Sequence, residues 1–368
     1  KVVVMSGSLW RTLTLLLLGS QVFRCGGKEE CSGSQGGSAD LYVSFVMVGR
    51  ADDLRGDYVS RLANSIQLIQ KYSLLHHVES EIVVVEWNPF QGQPALSAVL
   101  RQFVPTSPAP PAPPIRIITV PNSFHRKVQG DTNQTFFEFM AKNVGARRAR
   151  GEFVLVSNGD VVFNQHVFRA LSKKLLDRDA YFRIPRVETS AVFDPREDVM
   201  RRIELVESMS TSLTEEPLCD VGQTFCPGRY NVGVCERGFL GSERHDIHFG
   251  NADELYMPAA GDFFLIHRSN FHLLGGYHSI PSTTHLDSLL LCKASGAGLR
   301  QIVLTRPCVM FHQKHPVKDL DGIEVSDACV DDKMDNKDCR RRFLLPGWEL
   351  TEERCAEIEQ EARSKLAE

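Results

Sequence analysis

The sequence predicts an α/β fold: a mostly parallel sheet flanked by helices. Short β-branched apolar runs alternate with segments whose apolar residues recur at helical spacing. The first four runs carry no hairpin signal between them, which points to parallel neighbours joined by helical crossovers. With 368 residues and 42% hydrophobic content, the chain suffices for one large domain with decorations or for two modest ones.

Residues 41–48 form the first apolar run, and residues 58–75 carry the first helical spacing. The second run, 81–86, stops at Trp87-Asn88-Pro89, where proline ends a strand. A helix is expected over 95–103, a proline-rich surface insertion over 105–114 and a third strand over 115–120. A helix over 136–149 and a strand over 153–157 complete the first half. In such sheets ligands bind beyond the carboxyl ends of the strands, so polar residues there matter first.

The second half is less regular. A strand is expected over 180–185, a helix over 199–210 and a Cys/Gly-rich excursion over 217–251. Order returns at 260–267, in a helix over 285–295 and in short strands around Ile302 and Val309. Beyond Pro316 the chain is charged, and residues 351–367 read as a solvated terminal helix. The organisation is therefore a signal peptide or short anchor (1–27), a linker (28–40), a domain (41–315) in halves 41–165 and 166–315, and a Cys-containing tail (316–368).

A net charge of -4, with no long basic run, argues against nucleic acid as a partner. Ten cysteines without a Cys-x-x-Cys pair fit an oxidising compartment, with Cys219, Cys226 and Cys235 crowding one segment and Cys329, Cys339 and Cys355 another. Arg11 precedes an apolar stretch, 13–23, that resembles a secretory signal. It is short for a membrane span, yet as a marginal anchor it would give a route to membrane association. Asn133-Gln134-Thr135 is a glycosylation sequon usable in a secretory lumen.

Residues 143–160, running from Asn143-Val144-Gly145 through Ala149-Arg150-Gly151-Glu152 to Asn158-Gly159-Asp160, are the most informative. Oxygen ligands one residue apart at a strand exit suit Mg2+ or Mn2+, which would neutralise a diphosphate. An ordinary strand-closing turn also accounts for Asn-Gly-Asp.

On these residues the chain resembles the GT-A glycosyltransferases, particularly family-2-like members, over roughly residues 41–315. The resemblance implies a GT-A fold, transfer from a nucleotide-diphosphosugar, a UDP-sugar by preference, and a metal at Asp160. Asn158 replaces the first aspartate of the family's Asp-x-Asp motif, leaving the site one charge short. Nucleotide-sugar contacts are expected at Arg50 and Asp53 after the first strand, Glu86 after the second, and Asn143, Arg147 and Asn158 in the block. For Asp53 a helix-capping role competes, and for Glu86 a strand-ending turn.

A third constellation comprises Gly261-Asp262, Gly275-Gly276-Tyr277 and His285-Leu286-Asp287. By resemblance Asp287 falls on the catalytic base of inverting enzymes, while Asp262 and Gly276 line the acceptor or sugar. A first-turn acid on a helix is the competing reading of Asp287. His312, or His315 beside it, would complete the metal shell. A silent sugar- or partner-binding protein on the same fold is the alternative, and the acceptor, whether glycan, lipid or protein, is not named by the sequence. The expected location is the secretory lumen or outside the cell.

Overall fold

The computed structural model describes residues 41–52, 56–104, 112–130, 132–213, 255–279, 286–304 and 306–315 in full, and the backbone of four short strands between 219 and 249. All belong to one unit, Ala39–Glu368; the other unit, Lys1–Ser38, lies outside the described residues. So do Asp53, the signal-like segment and the C-terminal tail.

Strands β1 (Val43–Gly49) and β2 (Ser80–Trp87) are buried along their whole length. Near-continuous burial is what a parallel strand covered on both faces requires, and it explains their runs of Val and Ile. Between them α1 (Tyr58–Leu75) buries Leu62, Ile66 and Ile69, one stripe at helical spacing. The chain continues through α2 (Leu96–Leu100), β3 (Ile115–Val120), α3 (Asn122–Val128), α4 (Glu138–Arg147), β4 (Phe153–Val156), β5 (Val161–Phe163) and α5 (Gln165–Ser172). Then come β6 (Ala180–Arg183), β7 (Arg186–Thr189), α6 (Val199–Ser212), β8 (Cys219–Asp220), β9 (Gln223–Thr224), β10 (Asn231–Gly233) and β11 (Ile247–Phe249). The last elements are β12 (Phe264–His267), α7 (Arg268–Leu273), α8 (Leu286–Gly296), β13 (Arg300–Leu304) and β14 (Met310–Gln313).

The main sheet has the order β11-β10-β13-β6-β12-β4-β1-β2-β3. Strands β3, β2, β1 and β4 are mutually parallel, as expected from the first half of the sequence. β12 is antiparallel to both β4 and β6. Its reversal has a consequence for function: the residues just before β12 share an edge with those just after β4.

A second sheet, β5-β14-β7, stands on that edge and was not expected. Its strands are three or four residues long, too short to show a period of two. The helix expected over 95–103 shortens to Leu96–Leu100, and the strand expected from 260 begins at Phe264, because residues 258–262 turn. Helices α3, α5 and α7 were likewise not anticipated.

The Gly-rich block is explained by close packing. A Cβ on Gly145 would lie 2.5 Å from Val46 Cγ1, and one on Gly151 would lie 2.6 Å from the Ser44 backbone nitrogen. Arg150 N donates to Glu81 Oε1 at 2.7 Å and Gly151 N to Ser44 Oγ at 2.8 Å, so the turn entering β4 is tied to β1 and β2.

Candidate metal centre and active site

The site is built where β4 leaves the main sheet. Pairing of β12 with β4 sets Phe264 opposite Val156, which brings Asp262 opposite Asn158, two residues further out on each strand. Asn158 Nδ2 accordingly donates to Asp262 Oδ1 at 2.7 Å, and Ser157 Oγ donates to the Asp262 carbonyl at 2.7 Å.

Asp160 follows at the entry to β5, with 3% of its surface exposed. The small sheet then supplies its neighbours. β14 pairs with β5 so that His312 faces Val161, and Gln313 N donates to the Asp160 carbonyl at 2.9 Å. Asp160 Oδ2 lies 3.4 Å from His315 Nε2 and 3.7 Å from His312 Nε2. One potential ligand atom from each of these three residues falls within 4.8 Å of the others.

Two features show that this cluster suits a cation. Asp160 Oδ1 is buried and accepts no hydrogen bond among the described residues, a costly arrangement for a carboxylate oxygen. Secondly, His312 Nδ1 is 2.9 Å from Glu188 Oε2, where it donates as N-H. In the neutral ring Nε2 then turns a lone pair towards Asp160, and two acceptors face each other unless a proton or a metal ion lies between them. Burial raises the Asp160 pKa, but His312 and His315 outweigh it and hold the carboxyl well below the ordinary range. The Asp160 carboxylate in turn pushes the His312 imidazole up to about 9 against burial, with help from Glu188.

Lys142, on α4, is fully buried and was missed in the sequence, where it stands beside Asn143 with no motif to mark it. Its Nζ reaches Glu138 Oε1 at 2.5 Å, Asn158 Oδ1 at 2.7 Å and the Gly261 carbonyl at 3.0 Å. Asn158, expected at the nucleotide-sugar, therefore has its amide committed within the protein at both ends. Arg186, also missed, donates from Nη1 to Asp262 Oδ2 at 2.7 Å and pairs through Nη2 with Glu188 Oε1 at 2.9 Å. Arg183 is buried beneath, donating to the carbonyls of Pro258, Ala260 and Phe263. It thereby holds the segment that carries Gly261 and Asp262.

Asp287 lies in the first turn of α8, and its Oδ1 accepts from Ser288 N at 2.9 Å. A Cβ on Gly261 would lie 3.1 Å from Asp287 Oδ2 and 3.5 Å from Lys142 Nζ, so the glycine keeps this corner of the site open. Asn158, Asp160, Asp262, Asp287 and His312, scattered over more than 150 residues, thus belong to one neighbourhood.

No family model matches this chain, and no curated protein matches it. Among solved structures, TarS of S. aureus in complex with UDP-GlcNAc has a TM-score of 0.45 at 13% identity, covering 78% of this chain and 63% of that one. GalNAc-T7 with UDP, GalNAc and Mn2+ has a TM-score of 0.40 at 13% identity, covering 75% and 44%. The catalytic domain of Drosophila β1,4-galactosyltransferase 7 with xylobiose has 0.33 at 10%, covering 72% and 65%. This chain spans less than two thirds of each, and likeness at this level carries no activity across.

Four of the expected nucleotide-sugar residues are bonded within the protein. Glu86 is 1% exposed; its Oε1 accepts from Leu96 N at 2.7 Å and its Oε2 from Thr119 Oγ1 at 3.0 Å, which fixes the start of α2. Arg50, 3% exposed, pairs with Asp52 at 2.6 Å and donates to the Thr135 carbonyl at 2.9 Å. Asn143 bonds the Tyr277 backbone in both directions, at 2.8 and 2.9 Å, and Arg147 Nη2 reaches the Gly275 carbonyl at 3.0 Å. Asn143 and Arg147 thereby fasten the Gly275-Gly276 turn to α4. Gly276 has φ +75°, and a Cβ there would lie 2.2 Å from Asn143 Oδ1. Arg50, Glu86 and Asn143 are buried while Arg147 is exposed, and a framework role leaves the same signature in sequence as a ligand contact.

Proposed function

We propose that the protein is a GT-A glycosyltransferase that moves a sugar from a UDP-sugar to an acceptor hydroxyl with inversion. The observation that carries this reading is the Asp160, His312 and His315 cluster beside two further carboxylates, Asp262 and Asp287, at one sheet edge. The three residues would hold a divalent cation, Mn2+ or Mg2+, which when bound offsets the charge of the departing diphosphate.

Asp287 takes the proton of the acceptor hydroxyl. The acceptor oxygen bonds to the anomeric carbon, the bond from that carbon to the phosphate oxygen breaks, and the electron pair leaves with UDP. Gly261 leaves space in front of the Asp287 carboxylate for that hydroxyl. Asp262, with one oxygen on Asn158 and the other on Arg186, cannot turn away and orients the sugar. Arg50 and Glu86, both buried and bonded within the protein, act as framework in this reading.

A secretory location is supported by the exposed Asn133 of the sequon and by Cys292 and Cys308, both fully buried and disulfide-bonded. No helix of the described residues is long and apolar enough to cross a membrane.

A second reading, a silent member that binds without turnover, is favoured by the commitment of Asn158 to Lys142 and Asp262, which leaves one carboxylate for a cation. Incubation with a panel of UDP-sugars and Mn2+ separates the two. Slow donor hydrolysis that disappears in Asp160→Ala supports the transferase; UDP-sugar binding with no hydrolysis supports the silent module.

A further inference from the structure

We infer that Glu188 is the positioning residue of the metal centre: it fixes the tautomer and orientation of His312, and Arg186 holds it in place. The inference rests on the metal reading of Asp160, His312 and His315, not on sugar transfer.

The register of the small sheet carries the argument. β14 lies between β5 and β7, and its parallel pairing with β7 puts His312 level with Glu188 and Gln313 level with Thr189. Arg186 and Glu188 are two residues apart on β7, so they share a face, the face on which His312 stands. His312 Nδ1 donates to Glu188 Oε2 at 2.9 Å, and the other carboxylate oxygen pairs with Arg186 at 2.9 Å. Arg186 is anchored in turn by Asp262, whose carboxylate is nearly buried. Gln313, on the opposite face, is buried and bonded to Asn64, Ser65 and the Arg61 carbonyl of α1, which prevents β14 from slipping. A slip of one residue would turn His312 to the wrong side.

With Nδ1-H held by Glu188, the nitrogen that would give up its proton to a cation is Nε2, which faces Asp160. This is the carboxylate-histidine-metal arrangement in which the outer carboxylate sets ligand orientation and basicity, and whose loss lowers metal affinity about 10- to 100-fold. Glu188 itself is half exposed, so its removal leaves no buried cavity.

The test is Mn2+ binding by the full chain, followed by the electron paramagnetic resonance signal of free Mn2+, with UDP-sugar hydrolysis measured separately. Glu188→Ala is expected to weaken Mn2+ binding about 10- to 100-fold. Glu188→Gln, which keeps an acceptor oxygen for Nδ1-H, recovers part of the loss. Adding Glu188→Ala to His312→Ala costs nothing further, because the two act through one ligand. Mn2+ affinity in Glu188→Ala within twofold of the parent, or no Mn2+ binding by the parent chain, overturns the inference. Normal Mn2+ binding with no hydrolysis of any donor removes the transferase reading and leaves this one standing.

Discussion

Lys142 and Asn158 meet at 2.7 Å, ammonium to amide oxygen, in a place closed to solvent on the lysine side. The asparagine's other end donates to Asp262, so it relays a positive charge on α4 to a carboxylate before β12. An aspartate at this position would keep the lysine but lose the donor, setting two carboxylate oxygens face to face at a distance suited to a hydrogen bond. Restoring an Asp-x-Asp pattern is therefore expected to cost stability and to gain no metal affinity. Asn158→Asp should lower unfolding free energy by about 1–3 kcal/mol, with Mn2+ affinity no better than the parent. Thermal unfolding and Mn2+ titration measure the two; a tenfold gain in affinity would show that position 158 joins the metal shell.

Occupancy of the Asp160 cluster should be visible without any substrate. A ligand that binds only the folded state at a hundred times its dissociation constant adds about 2.7 kcal/mol to stability. Mn2+ is expected to raise the melting temperature of the parent chain, and EDTA to reverse the rise. In Asp160→Asn the shift should vanish, since the substitution keeps the shape and removes the charge that draws both histidines. An equal Mn2+ shift in that variant would place the cation elsewhere.

The legible parts of the fold are those with a period or a long run. β1, β2 and β4 and helix α1 announce themselves because burial on both faces demands β-branched runs and burial on one side demands a stripe; β3, half-buried at the sheet edge, shows as a β-branched run alone. Of the small sheet only β14, expected around Val309, was visible: three- and four-residue strands such as Val161–Phe163 and Arg186–Thr189 have no room for alternation, and pairing across the chain sets them. The same sheet carries Arg186 and Glu188, so they were missed with it. Asp160 and His312, which the structure brings together, stand on local signals, a strand exit and a late histidine. Asn143 and Glu86 show the converse: a side chain that satisfies buried polar groups looks, in sequence, like one that awaits a ligand.

The Gly275-Gly276 turn offers a test of that distinction. With Gly276 at φ +75° and its α-hydrogen facing Asn143 Oδ1, an alanine there is strained in backbone and blocked in space. Gly276→Ala is expected to destabilise by about 1–3 kcal/mol through backbone strain and overpacking. Asn143→Ala, which leaves the Tyr277 amide and carbonyl without partners, should cost a similar amount. In both variants nucleotide affinity per folded molecule should hold, measured by UDP titration below the melting transition; a selective loss of UDP binding would return Asn143 to the nucleotide site.

Glu86, near the end of β2, poses the same question. Its carboxylate accepts the Leu96 amide and the Thr119 hydroxyl, and with 1% exposure no face is left for a uracil ring. A glutamine there keeps one oxygen for the Leu96 amide and can donate its N-H to the Thr119 hydroxyl, so Glu86→Gln should lose only the charge assistance, worth about 0.5–1.5 kcal/mol. Thr119→Val, which leaves the buried Glu86 Oε2 without its donor, should cost more, about 1–3 kcal/mol, while the Leu96 bond survives. UDP affinity is expected to stay within about twofold in both, as the carboxylate acts through the start of α2 and not on the base. A rise of more than tenfold in the UDP dissociation constant for Glu86→Gln, with Thr119→Val unaffected, would mean that α2 opens on binding and that the carboxylate reaches the nucleotide after all.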